Sequence, residues 1–181
     1  MRWNGRVFEA LAARLGHRHP RELYHSALVV RVGQERFVVE MTPAWGGRGE
    51  RGVVGEGAVG ARWLGCSRLF RYEVRRWRSG AIPDVAEAVA SPQRVSGSEA
   101  AAQRVLDLVP DFPLRTWGRD EQEAGDMWNS NSLTAWLLAR SGHDTALIGP
   151  PARGRAPGWE AGLVVAGRQQ HEAGMRLLPS G

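Results

Sequence analysis

Two strand-forming runs separated by three polar positions constrain this chain most. Tyr24-His25-Ser26-Ala27-Leu28-Val29-Val30-Arg31-Val32 and Arg36-Phe37-Val38-Val39-Glu40-Met41-Thr42 flank Gly33-Gln34-Glu35. β-branched and aromatic residues on both sides of so short a link predict a hairpin of strands 24–32 and 36–42. Pro43 ends the second strand by removing a backbone donor. Residues 68–77 alternate in the same way. Phe70, Tyr72 and Val74 fall on one face and Arg71, Glu73 and Arg75 on the other, which predicts a half-buried strand with a cationic outer face.

Helical spacing marks other segments. Val7, Phe8, Leu11 and Leu15 form one stripe over 5–15, with Asn4 as a cap and Gly16 after the end. Ser98 caps a helix over 99–109 with Val105, Leu106 and Val109 inward, and residues 127–141 form the best-marked helix, with Leu133, Trp136 and Leu137 inward and Gly142 as its stop. Residues 46–65 are rich in glycine and read as a long loop, 150–158 as a second loop, and Leu163-Val164-Val165 as a last strand. The segment between Pro83 and Pro92 carries no clear pattern. Strands with segregated helices make an α+β chain. We expect one domain over 1–181, with an N-terminal helical arm over 1–20 and a core over 24–141.

Composition excludes several classes. Hydrophobic residues make up 43% and charged residues 24%, which excludes disorder and allows a core without disulfides. The lone cysteine, Cys66, excludes a disulfide framework and a cysteine-rich zinc site. No apolar run reaches the ~18–20 residues of a membrane helix, and the first residues lack the apolar core of a secretory signal, so a soluble, cytoplasmic protein is expected. All 24 basic residues are arginine. Residues 48–78 hold eight arginines against three glutamates, which accounts for the net charge of +5, so an acidic partner would be sought there.

Four motifs bear on chemistry. Gly55-Glu56-Gly57-Ala58-Val59-Gly60 matches a dinucleotide fingerprint, but Val53-Val54 alone precede it and little helix follows, so a flexible glycine loop is expected. Cys66 reads as a packed or incidental thiol. His17 and His19 form a short pair without a nearby carboxylate or thiol and read as loop residues rather than metal ligands. No cofactor and no metal are expected. His25 differs, because a polar ring inside an apolar strand must find a partner.

The most informative segment is Gly125-Asp126-Met127-Trp128-Asn129-Ser130-Asn131-Ser132-Leu133-Thr134-Ala135-Trp136. Asn-Ser-Asn-Ser is a run of helix-capping residues, and capping alone accounts for it. Ser130 also heads the stripe of Leu133 and Leu137, where a hydroxyl would sit in the positive end of the helix dipole, as a nucleophile does.

The order of these pieces is a histidine in Tyr24-His25-Ser26-Ala27-Leu28-Val29-Val30, a hairpin closing Phe37-Val38-Val39-Glu40-Met41, and a late helix opening Asn129-Ser130-Asn131. It resembles the circularly permuted branch of the NlpC-like papain fold, to which lecithin:retinol acyltransferase-like proteins belong. There a strand histidine comes first and the nucleophilic cysteine later, at a helix start, often after an asparagine. The resemblance covers residues 24–141. It implies a papain-like α+β fold, with a small antiparallel sheet or half-barrel packed on the helix that carries the nucleophile. His25 falls at the base position, and Ser130 stands where the family has cysteine. A serine there, native or introduced, needs a stronger base partnership to act. The imidazole's orienting group is Glu40, with Thr42 as the alternative: a two-residue turn at Gly33-Gln34 pairs His25 with Thr42 and leaves Glu40 one pair along on the same face, whereas a three-residue turn moves Glu40 to the opposite face.

Three functions stay open at this point. The first is a non-catalytic papain-like binding relative. The second is a hydrolase or acyl/amide transferase using Ser130 and His25, with Glu40 holding the ring and first-turn amides facing an oxyanion. The third is an arginine-face binder of nucleic acid or acidic surfaces through Arg68, Arg71, Arg75, Arg76 and Arg78. The expected partner is a small molecule, peptide or lipid-like ligand in the His25–Ser130 cleft. Nucleic acid is not expected, because Glu73 interrupts the arginines and no aromatic platform shares their face.

Overall fold

A computed structural model describes residues 22–44, 52–80, 93–149 and 154–176. The helix expected over 5–15, His17, His19 and the segment between Pro83 and Pro92 lie outside them. Within them the chain is α+β. The hairpin forms as β2 (Leu28–Val32) and β3 (Glu35–Pro43), after a two-residue β1 (Glu22–Leu23). The ladder runs from Val32 opposite Glu35 to Leu28 opposite Val39, so the turn holds only Gly33 and Gln34. β5 (Arg71–Arg78) pairs with the far side of β3, and β4 (Val53–Ala58) pairs with β5. The result is a four-stranded antiparallel sheet in the order β2-β3-β5-β4.

Strand alternation sends Val30, Val39, Met41, Tyr72 and Val74 to one face. Helices α1 (Glu99–Leu108) and α2 (Ser130–Arg140) cover that face with Val105, Leu106, Leu133, Trp136 and Leu137. Phe112 ties the layers together. Its ring stacks on Trp128 at 5.0 Å and meets Trp136 edge-on at 5.7 Å. Each such buried side chain contributes about 1.5–3 kcal/mol. Helix α3 (Trp159–Arg176) then packs on α2, and the two-residue β6 (Gly154–Arg155) pairs in parallel with β1.

Four expectations need correction. The strand expected from 24 begins at Leu28, because the backbone of Tyr24 is drawn elsewhere: its N–H donates to Arg155. The glycine-rich loop contains strand β4, and the short helix after it is a 3-10 turn, Arg62–Cys66, so the dinucleotide context fails. Glycine is required inside that strand: a Cβ on Gly57 would lie 2.3 Å from the Tyr72 ring. Leu163-Val164-Val165 is helical. Ala161 and Val165 lie four apart and are buried, so packing of one helical face overrides the β-propensity of the run. Helix α2 starts at Ser130 rather than 127, because Asn129 is its cap.

The close crossing of α2 and α3 depends on one glycine. A Cβ on Gly162 would fall 2.4 Å from the Ser132 carbonyl oxygen and 2.9 Å from the Ala135 methyl. Gly162→Ala should therefore force the helices apart and lower the unfolding free energy by about 1–3 kcal/mol in a denaturant titration.

One ion pair joins the turn after β4 to the loop before α2. Arg62 Nε lies 2.8 Å from Glu121 Oε1, and Thr116 donates to the same carboxylate from its hydroxyl and its N–H. The Arg62 guanidinium and these bonds hold the Glu121 carboxyl well below its ordinary value, at about 2. A depressed folded value contributes stability above the unfolded value, and that contribution is lost as pH falls toward the folded one. Wild type should therefore exceed Glu121→Gln in urea midpoint at about pH 7, and the difference should vanish near pH 2.

Candidate active site

The site is assembled at the first turn of α2, where four consecutive polar side chains have four different tasks. Asn129 is the cap: its Oδ1 accepts the N–H of Asn131 at 2.8 Å and of Ser132 at 3.4 Å. Ser132 completes the reciprocal capping box by accepting the Asn129 N–H at 3.0 Å, and its hydroxyl donates to the Gly158 carbonyl. Asn131 reaches across to Tyr24, Ser26 and Pro157. Ser130 faces His25, with Oγ 2.5 Å from ring Nδ1.

This contact joins two unlike environments. Ser130 is 3% exposed, whereas His25 is exposed. The hydroxyl lies at the first residue of an eleven-residue helix, within the positive end of its dipole. The expectation that several first-turn amides face a developing oxyanion narrows, because the Asn131 and Ser132 N–H groups are occupied by Asn129. The Ser130 N–H is the first-turn amide for which no acceptor is present among the described residues.

The structure does not bring Glu40 to this pair. Among the described residues no hydrogen bond or ion pair joins Glu40 to His25. Val39 and Met41 point to the helices, so Glu40, between them, points to the opposite face of the sheet. There it meets Arg75 at 3.3 Å, and Arg75 meets Glu73 at 2.6 Å. The two-residue turn would place Thr42 opposite His25 if the ladder continued, but it stops at the Leu28–Val39 pair.

The arginines of 68–78 do not form a cationic outer face. Glu73 and Arg75 are each 5% exposed. Alternation sends Arg76 to the helix side, where it donates to the Leu106 carbonyl. Arg71 is paired with Glu56, Arg78 with Glu35, and Arg68 lies 3.9 Å from Glu73. Phe70 belongs to a 3-10 turn, Arg68–Phe70, and not to the strand. Cys66, expected to be packed or incidental, is exposed on the preceding turn.

The remaining candidates fall outside the site. His143 is bonded to Ser141 at 2.8 Å, and His171 is exposed on α3. Among the described residues no three histidine, cysteine or acidic side chains could share a metal ion, and no helix is long and apolar enough to cross a membrane. Cavities of about 300 and 290 Å³ lie elsewhere, one lined by Arg62, Arg115 and Glu121, the other by Phe37, Arg76 and Leu106. Sequence reasoning missed Ser26, Asn131 and the Pro157-Gly158 turn as parts of the site. The available signal was that one cap needs one or two of the four Asn-Ser-Asn-Ser side chains, which leaves the others for a different use.

Arg75 screens two buried carboxylates from each other. Arg75→Ala would leave Glu40 and Glu73 on adjacent strands without it, and unfolding should become easier by about 3–5 kcal/mol, read by denaturant titration. Comparison with known proteins yields no match: no family model, curated protein or solved structure is significantly similar to this chain.

Proposed function

We propose that this chain is a papain-like hydrolase or acyl/amide transferase that uses serine where the permuted NlpC-like family uses cysteine. The single observation behind the proposal is the 2.5 Å contact between Ser130 Oγ and His25 Nδ1. Serine is a weak nucleophile at neutral pH and needs a base in direct contact, which this geometry supplies. The chain order of histidine before nucleophile and the helix-start position add support.

In this reading neutral His25 accepts the Ser130 proton on Nδ1 as Oγ attacks a substrate carbonyl carbon. The oxyanion lies against the Ser130 N–H, at the positive end of α2. The imidazolium then returns its proton to the leaving nitrogen or oxygen, which departs with the bonding electrons and leaves an acyl-serine. Water or a second acceptor, deprotonated by the same ring, resolves the ester. This reading gives Glu40 no part, since it meets Arg75 on the other face of the sheet.

A second reading, a non-catalytic relative that binds its ligand at this site, is favoured by the burial of Ser130 to 3% exposure. A fluorophosphonate probe separates the two. If the chain is an enzyme, the probe should modify Ser130, located by peptide mass mapping. Labelling should fall about 100-fold or more in His25→Ala and at acid pH, where a protonated ring cannot accept the proton. In a Cys66→Ser background, Ser130→Cys should alkylate with iodoacetamide faster than a free thiol, as a thiolate favoured by the helix end and His25 would. Absence of both reactions in folded protein would favour the binding relative.

A further inference from the structure

His25 occupies a four-residue link. β1 ends at Leu23 and β2 begins at Leu28, so the ladder that fixes β2 against β3 does not reach the histidine. A catalytic ring on such a link needs another means of being held. One buried side chain bonds both residues that flank it. Asn131 Nδ2 donates to the Tyr24 carbonyl at 2.9 Å, and Asn131 Oδ1 accepts from the Ser26 hydroxyl at 2.8 Å. The second hydrogen of the same amide goes to the Pro157 carbonyl at 2.9 Å. Asn131 is 3% exposed and directly follows Ser130 on the helix.

We propose that Asn131 is a positioning residue that sets His25 over Ser130 by clamping Tyr24 and Ser26; the proposal rests on the hydrolase reading for its kinetic consequence alone. The chemistry demands asparagine. Two donors and one acceptor are used at once, and aspartate lacks the donors while leucine lacks all three. The clamp and the nucleophile share the first turn of one helix, so they move together. The cap is independent of this side chain, because the Asn131 contribution to it is its backbone N–H. Replacing the side chain should therefore release the histidine while the helix start stays formed.

The experiment compares wild type, Asn131→Leu and Ser26→Ala by fluorophosphonate labelling of Ser130 and by the ¹⁵N resonance of His25 Nδ1. In folded Asn131→Leu the maximal labelling rate should drop about 100-fold, the scale of a misplaced catalytic group, with the half-saturating probe concentration unchanged. The Nδ1 resonance should move toward that of a free imidazole. Ser26→Ala should shift both readouts the same way by a smaller amount. A folded Asn131→Leu with unchanged rate and resonance would overturn the proposal. Should Asn131→Leu not fold, Ser26→Ala decides on the same two readouts, and no change in either overturns it. If wild type is not labelled, the hydrolase reading fails alone, and the His25 resonance still decides on Asn131.

Discussion

The capped first turn of α2 is the interaction on which the rest of the molecule depends. A helix start leaves backbone donors unsatisfied, and burying it requires partners for each of them. Here Asn129 and Ser132 satisfy those donors from within, save the Ser130 N–H, and the same two residues hold the Pro157-Gly158 turn from which α3 departs. With the cap complete, the adjacent side chains are released for other partners. Ser130 and Asn131 use that freedom to meet the link that carries His25. Helix, turn and link thus converge because one local problem in hydrogen bonding was solved with more polar groups than it required.

The opposite face of the sheet solves a different problem. Glu40, Arg75 and Glu73 lie side by side on β3 and β5, almost wholly buried. Buried charge is expensive unless paired, and the desolvation cost can exceed the attraction gained. Such a cluster is a poor source of stability but a strict specification of register. A slip of β5 by one residue against β3 would carry Glu73 and Arg75 to the apolar face and Tyr72 and Val74 away from it, and would part Arg75 from Glu40.

Local pattern made much of this legible. The hairpin and both helices of the core follow from alternation and from spacing of three and four, and those readings need only neighbours in sequence. What failed did so for tertiary reasons. Leu163-Val164-Val165 has strand propensity, but its fate is decided by Ala161, Gly162 and Val165 against α2. Gly55 and Gly57 looked like a loop because the side chains that demand their smallness, Leu114 for the first and the Tyr72 ring for the second, are remote in sequence. The pairing of Ser130 with His25 rested on chain order and a resemblance. Nothing in the sequence placed Glu40 against Arg75, since that follows from how β3 and β5 pair.

The short β1–β6 ladder has a consequence for how the chain folds. It joins Glu22 to Gly154, and the neighbouring bonds between residues 24–26 and Asn131 close loops of 105 and 107 residues. Contacts of such separation incur their loop-closure entropy early and are rewarded late. The hairpin and helices can form from nearby sequence, whereas the histidine meets its serine across 105 residues of chain. The site is thus expected among the later features to assemble, and a nascent chain that has not yet emerged past Arg155 would carry both residues of the pair without the β1–β6 ladder beside them.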